Sequence, residues 1–229
     1  MINNKTIGII VAARINSSRL PGKALKLLNG IPMLCFLLRR LKTSTLADKI
    51  ILATSDQKGD DLLVELAQSE KIKIFRGDLN DVTARYIDAA EEYKIDIVVR
   101  VTGDCPFVNG ELVDYCIEEA LNSDSFDLCS TKNQYPVGLD VEIYNNESIS
   151  EIYNNNLLTN EEREHLTLYY YNNQNKYKIV KLLPPKKWQG KGLSYTVDSH
   201  IDYNRVSILA NKFENELFSI ENLVKLEYS

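Results

Sequence analysis

Four short apolar runs, each followed by a stretch of helical period, most constrain the fold of this 229-residue chain. The runs are rich in β-branched residues, as is typical of buried strands, and they lie at residues 5–13, 48–55, 73–75 and 96–101. Helices are predicted at residues 32–42, 60–70, 81–93 and 111–122, the third capped by Asp78 or Asn80. This alternation predicts an α/β fold with a mainly parallel sheet and helices on both faces.

The pattern changes after about residue 125. Further strands are predicted at residues 126–130, 139–144, 176–183 and 193–197, and helical segments at 146–173, 201–213 and 218–227. Neither an internal repeat nor a low-complexity tail interrupts the chain. We therefore expect a single domain over residues 1–229, with an α+β extension at its carboxyl end.

Composition excludes several classes of protein. The net charge of −5 argues against a dedicated nucleic-acid binder. The four cysteines form no Cys-x-x-Cys pair and the chain has two histidines, so a zinc site is not expected and buried free thiols are. No apolar run reaches the roughly 18 residues of a membrane span, and residues 1–13 lack the pattern of a signal peptide. A cytoplasmic protein that does not bind membranes is the expectation.

A basic loop, residues 13–23, follows the first predicted strand. It carries Arg14, Arg19 and Lys23, two serines and a Pro-Gly turn. The carboxyl end of a parallel strand is where α/β folds bind phosphates, and Arg, Lys, Ser and backbone N–H groups are suitable donors. The spacing fits neither a Walker loop nor a Gly-x-Gly-x-x-Gly turn. The loop predicts a polyanion site, with a plain basic surface loop as the alternative.

Two carboxylates follow later predicted strands. Asp104 lies in a Gly-Asp-Cys-Pro turn after residues 96–101, and Asp198 follows residues 193–197. Each has a structural alternative, since Asp104 suits a tight turn and Asp198 or Ser199 suits a helix cap, with Asp202 in the first turn. Two carboxylates at one sheet edge, completed by water and phosphate oxygens, are a typical Mg²⁺ arrangement.

Several motifs together resemble the CMP-sugar synthetases, which include acylneuraminate and 3-deoxy-manno-octulosonate cytidylyltransferases, and above all their spore-coat-polysaccharide branch. The matching segments cover about residues 7–206 and are Ala13-Arg14, Ser18–Lys23, Ala53–Asp56, Phe75–Gly77, Gly103–Pro106, Gly138–Glu142, Arg163–Thr167 and Thr196–Asp198. The resemblance implies a Rossmann-like, GT-A-like three-layer nucleotidyltransferase sandwich. It also implies Mg²⁺-dependent transfer of CMP from CTP to a hydroxyl of an acidic sugar, with release of pyrophosphate, for surface glycan synthesis.

The resemblance also implies roles for individual residues. The triphosphate would be held by Arg14, Ser18, Arg19 and Lys23, with Ala12, Ala13 and Thr102 completing the nucleotide site. Arg14, Lys23 and Asp104 would be catalytic, and Asp104 and Asp198 would bind Mg²⁺. Arg76 and Thr83 fall where the family reads cytosine. The acceptor would meet Asp140, Glu142, Arg163, Glu164 and His165. For the last three, the solvated first turns of a helix are the alternative.

Departures from the family pattern concern the acceptor side. Tyr195, Ser199 and His200 replace residues common in relatives, so the acceptor's identity stays open. Transfer of CMP to a phosphonate or an alcohol phosphate, or nucleotide binding without turnover, are the alternative functions. The resemblance and the Tyr-rich segment predict a homodimer, with about residues 130–190 on the acceptor side and at the interface; core packing is the alternative for Tyr169–Tyr171.

Overall fold

The computed structural model describes residues 4–228, so residues 1–3 and 229 of the expected domain lie outside the description. Its regular elements are, in chain order, β1 (Ile7–Ala12), β2 (Leu27–Leu28), β3 (Ile31–Pro32), α1 (Met33–Leu41), β4 (Lys49–Ser55), α2 (Asp61–Ser69), β5 (Lys73–Gly77), α3 (Val82–Glu92), β6 (Ile97–Thr102), α4 (Gly110–Leu121), β7 (Leu128–Ser130), β8 (Glu142–Asn145), α5 (Asn146–Asn154), α6 (Asn160–Glu164), α7 (Leu168–Asn172), β9 (Ile179–Lys181), α8 (His200–Ala210) and α9 (Ile220–Lys225). The four predicted βα pairs of the first half are confirmed.

Seven strands form one sheet in the order β5-β4-β1-β6-β8-β7-β9. Strands β5, β4, β1 and β6 are mutually parallel. Strand β8 is antiparallel to both of its neighbours, and β9 is parallel to β7. Strand β8 therefore runs opposite to the other six, and the predicted mainly parallel sheet is confirmed. The carboxyl-terminal α+β part extends this sheet.

Alternating side chains of β1 show how the sheet is covered. Ile7, Ile9 and Val11 belong to a core with α1, α2, α4, α8 and α9. Ile10 belongs to a second core with α3, α5 and α7. Successive residues of a strand face opposite sides, so the helices form an outer layer on each face. The result is the expected three-layer sandwich.

Two local predictions are corrected by the structure. Residues 193–197 are extended, but they are not a strand, because their backbone bonds reach two separate turns instead of one neighbouring strand: Tyr195 N donates to Val137 O and Val197 N to Asp104 O. Helix α3 is capped by Asp81, whose side chain accepts from Ala84 N, and not by Asp78 or Asn80.

Two sequence-based expectations concern buried tyrosines and cysteines. Tyr169 and Tyr170 are at most 8% exposed and stack edge-on against Tyr177, so these two belong to the core of this chain. All four cysteines are buried free thiols, as predicted. Across residues 4–228 the helices are too short or too polar for any one of them to cross a bilayer.

Candidate active site

The basic loop after β1 is folded by its own backbone and by a buried carboxylate. The carbonyl of Ile15 accepts hydrogen bonds from the amides of Ser17 and Gly22, both at 2.9 Å. Gly22 has φ = +70°, a conformation that favours glycine. The buried Asp60 accepts from Ile15 N at 2.7 Å and also from both Thr54 and Ser55. The loop is therefore a fixed turn that presents its cations at the sheet edge.

A cleft of about 350 Å³ opens beside this loop. All of the residues expected to bind the triphosphate line it, together with the ends of β1 and β6. The predicted residues in its wall are Ala12, Ala13, Arg14, Ser18, Arg19, Lys23, Thr102, Asp104, Glu164, His165 and Asp198. The sequence-based prediction thus correctly groups residues that lie up to 186 positions apart, from Ala12 to Asp198.

Lys23 joins the two predicted metal ligands. Its ammonium lies 3.2 Å from Asp104 Oδ2 and 3.1 Å from Asp198 Oδ1, and it donates to Val197 O at 2.8 Å. Arg19 adds a second cation 3.1 Å from Asp198 Oδ1. Burial raises the pKa of Asp104, but the Lys23 ammonium and the Thr102 hydroxyl outweigh it, so the net pKa is lowered. Asp104 is therefore ionised at neutral pH.

The position of Asp198 depends on close backbone packing between residues 195–196 and Gly138. Gly138 has φ = +92°, and a Cβ there would lie 2.3 Å from Thr196 N. Only glycine lets residues 195–196 pack this tightly against the turn before β8. The Val197 N to Asp104 O bond of 2.8 Å then ties the two turns that carry the carboxylates. The end of this segment presents Asp198, while Ser199 and Asp202 form the capping box of α8. The capping alternative for Asp202 is confirmed.

A second cleft, of about 540 Å³, adjoins the first. The two share Thr102, Asp104, His165 and Asp198. Asp140 lines the second cleft, where burial raises the pKa of its carboxyl although Gly138 N donates to it at 2.7 Å. The paired carboxylates thus stand at the junction of two spaces, one of which contains the basic loop.

Glu142 lines the second cleft, but its carboxylate is fully engaged by protein. Arg100 donates to it at 2.6 Å, Thr167 at 3.0 Å and Tyr171 at 2.8 Å. The side chain is buried at the start of β8, opposite Arg100 on β6. It fixes the wall of the cleft in place, and it has little left to offer a ligand.

Three predicted residues lie outside both clefts. Arg163 turns away to Asp81, at 2.7 Å, and packs over the ring of Tyr153. Arg76 is held by Asp61 at 2.6 Å and by the backbone carbonyls of Ser55, at the end of β4, and Gln57. Thr83 is fully buried and donates to carbonyls of α6. Each is satisfied within the chain, so the structure does not bring these three to the expected contacts with cytosine or acceptor.

Sequence reasoning missed Arg85 and Asp60. Arg85 lines the first cleft and is 2% exposed, although it reads as one more charged residue of an amphipathic helix. Asp60 organises the basic loop from below, and nothing in its local sequence distinguishes it from Asp61. The signal for both is spatial: a charged group buried beside the loop.

The two converging carboxylates fit a Mg²⁺ ion. One oxygen of each lies at a nearly equal distance from the Lys23 ammonium, so the two carboxylates are close enough to share a small cation. Residues 4–228 contain no group of three or more His, Cys, Asp or Glu side chains suited to a metal. Mg²⁺ commonly takes one or two carboxylates from a protein and completes its shell with phosphates and water.

A basic loop, two carboxylates and a second cleft at one edge of a mainly parallel sheet are the arrangement expected of a nucleotidyltransferase. Comparison with known proteins narrows this class. The family model described as cytidylyltransferase matches residues 8–220. The chain therefore belongs to the cytidylyltransferase family, enzymes that transfer CMP from CTP.

Individual relatives agree. The spore coat polysaccharide biosynthesis protein SpsF of Bacillus subtilis is 31% identical over 89% of this chain and 85% of its own length. A 3-deoxy-manno-octulosonate cytidylyltransferase of Pelobacter propionicus is 29% identical over 56% of this chain and 49% of its own. The solved structure of a cytidylyltransferase from Leptospira borgpetersenii covers 97% of this chain and 94% of its own, with TM-score 0.89 and 30% identity.

Proposed function

We propose that this protein is a Mg²⁺-dependent cytidylyltransferase that transfers CMP from CTP to a hydroxyl of an acidic sugar, for surface polysaccharide synthesis. The observation that carries the proposal is the junction of the two clefts at Asp104 and Asp198. A triphosphate on the basic loop and an acceptor in the second cleft would meet there. The names of SpsF and of the octulosonate enzyme support the polysaccharide role and the acidic acceptor.

The reaction needs positioning and charge more than covalent chemistry by the protein. The acceptor hydroxyl oxygen forms a bond to the α-phosphorus and releases its proton to water. The bond between the α-phosphorus and the oxygen that bridges to the β-phosphate breaks, and pyrophosphate leaves with that electron pair. Arg14, Arg19 and Lys23 would neutralise the triphosphate and the leaving group. Mg²⁺ held by Asp104 and Asp198 would supply further stabilisation of the charge on the phosphates.

The acceptor would occupy the cleft of about 540 Å³. Lys132 lines it, lies over the Tyr171 ring at 4.8 Å, and forms no ion pair with any carboxylate in the described chain. A carboxylate on the acceptor is a suitable partner for this ammonium. Asp140 and His165 line the same space and would accept from, or donate to, sugar hydroxyls. This is the chemical reason for favouring an acidic sugar over a neutral alcohol.

Pyrophosphate release tests the proposal. With each of the four nucleoside triphosphates, Mg²⁺ and a panel of α-keto sugar acids, we expect turnover with CTP and a CMP-sugar product. Asp104→Asn and Asp198→Asn should each lower turnover by about 10²–10³-fold, the usual loss for one such charged contact, with an unchanged circular dichroism spectrum. Asp56→Asn is the matched control, because Asp56 follows β4 at the same edge and lines neither cleft.

Three results would reject the proposal. They are equal use of all four nucleotides, turnover without a divalent cation, or near wild-type turnover in either Asn variant. Binding of CTP without turnover over the whole acceptor panel would favour a protein that binds nucleotide without catalysis. Turnover with only a phosphonate or an alcohol phosphate would favour transfer of CMP to a non-sugar acceptor.

We also propose a cytoplasmic homodimer built on a single domain. Buried free thiols suit a reducing compartment. In the region of residues 130–190, the exposed apolar side chains are Val137, Leu157 and Leu183, each at least 50% exposed. These are better candidates for a subunit contact than the buried tyrosines. Light scattering that shows a monomer at micromolar concentration would reject the dimer.

A further inference from the structure

Arg85 is a buried cation in the wall of the nucleotide cleft. It lies near the start of α3 and is 2% exposed. Its Nη1 donates to the carbonyl of Asp78 at 3.2 Å, and its Nε is buried without a hydrogen-bond partner. No carboxylate forms a salt bridge with it in the described part of the chain, although Arg14, Arg19 and Arg76 each have one. A guanidinium in this situation has donors to spare.

Burial of this guanidinium lowers the stability of the fold unless contacts with a ligand offset the loss. A buried donor without an acceptor destabilises the fold, and a buried charge does so more strongly. Burial lowers the pKa of Arg85, and the nearby Arg14 adds to that effect although Tyr86 opposes it. The Arg85 side chain lines the cleft, so a molecule bound there can supply an acceptor to its guanidinium.

The place of Arg85 in the sheet points to the nucleoside and not the phosphates. Its guanidinium is held beside the end of β5 by Asp78. Lys23 is held beside the end of β6 by Asp104. Three strand spacings separate β5 from β6, or about 14 Å at roughly 4.8 Å each. If the triphosphate lies between the basic loop and the two carboxylates, the base lies near Arg85. Val82 lines the same part of the cleft.

We propose that Arg85 selects cytosine over uracil by donating hydrogen bonds to the O2 and N3 atoms of the base. Arginine donates and never accepts. Cytosine presents two adjacent acceptors, O2 and N3, whereas uracil presents N3–H, a donor that faces a donor. The inference deepens the proposed function and rests on it. It reassigns base recognition from Arg76 and Thr83, whose polar atoms are satisfied by protein.

Steady-state kinetics with CTP and UTP tests the assignment. Wild type should prefer CTP. Arg85→Met should lower kcat/KM for CTP and reduce the CTP/UTP ratio of kcat/KM by roughly 10- to 100-fold, as expected for loss of one two-bond contact to a base edge. Arg85→Gln offers an acceptor for N3–H of uracil, so it should also lower the CTP/UTP ratio of kcat/KM. Arg76→Met is the competing variant, and it should leave the ratio at the wild-type value.

The unmodified protein gives an independent arm. A 3-deaza analogue of CTP lacks the N3 acceptor, so calorimetric titration should show weaker binding to wild type, by about 10-fold or more. The penalty should vanish in Arg85→Met. Equal losses for CTP and UTP in the Arg85 variants, a ratio that changes in Arg76→Met instead, or full affinity for the 3-deaza analogue would overturn the assignment. Failure of wild type to turn over any nucleotide would reject the proposed function instead.

Discussion

The ion pair between Arg100 and Glu142 gives the most direct quantitative test of the second cleft. The pair joins β6 to β8 with a 2.6 Å contact, and Glu142 is 5% exposed. Burial lowers the pKa of Arg100, but the Glu142 carboxylate raises it more, so the net pKa is raised. Arg100 donates to Glu142 through Nη1, and its Nε is buried without a hydrogen-bond partner. Removal of the carboxylate therefore leaves a half-buried guanidinium without its ion-pair partner.

Glu142→Gln should lower the free energy of unfolding by about 3–5 kcal/mol, the usual cost of removing one partner of a buried pair. For a protein of this size each kcal/mol shifts Tm by roughly 2–4 °C, so Tm should fall by roughly 6–20 °C. Differential scanning calorimetry measures the shift, and urea titration measures the free energy. CTP affinity should change little, because Glu142 does not line the nucleotide cleft.

A double variant separates charge from packing. Arg100→Met with Glu142→Gln removes the stranded cation and retains acceptors for Thr167 and Tyr171, so it should recover more than half of the lost stability. A loss below 1 kcal/mol in the single variant would refute the reasoning. So would a double variant less stable than Glu142→Gln alone.

Three other predictions concern stability and the placement of Asp198. Burial raises the pKa of Asp202, but the Ser199 hydroxyl and other donors lower it to about 2, so the stabilisation by its carboxylate is complete above pH 4 and is lost toward pH 2. Asp202→Ala should therefore lower the free energy of unfolding by about 0.5–2 kcal/mol at pH 7 and by less at pH 2, as measured by urea titration. The same loss at both pH values would contradict this. Gly138→Ala forces a Cβ against Thr196 and should reduce turnover more than 10-fold while CTP binding persists; unchanged kinetics would show that the turn relaxes freely. All four buried thiols should react with an aromatic disulfide reagent at pH 8 only after unfolding, and rapid reaction of native protein would show an accessible cysteine.

The nucleotide half was predictable from sequence because its signals are local. Strand runs end directly at the residues that form the site, as β1 does before Arg14 and β6 before Asp104. Parallel pairing then brings these ends to one edge without further information. The basic loop, Asp104 and the sheet with helices on both faces follow from these signals, whereas Asp198 follows an extended segment that is not a strand.

Where side chains lie away from the expected contacts, their partners are distant in sequence. Arg163 binds Asp81, and Thr83 binds carbonyls 79 and 80 residues later. Period and spacing do not encode such pairings. Residues 193–197 have the composition of a strand, yet their backbone amides donate to carbonyls in two turns and not to a neighbouring strand. In the same way, Arg85 differs from other helical arginines only in what its neighbours leave unpaired.

The reversed strand β8 has a consequence for how this protein can diversify. Because β7 ends and β8 begins at the edge that carries the site, the chain between Ser130 and Glu142 is a hairpin loop lying over the second cleft. Its two anchors are fixed by strand pairing, while its length and most of its sequence are not. Exchange of this one loop between family members could transplant acceptor preference onto an unchanged nucleotide half, provided that Gly138 and Glu142 are kept.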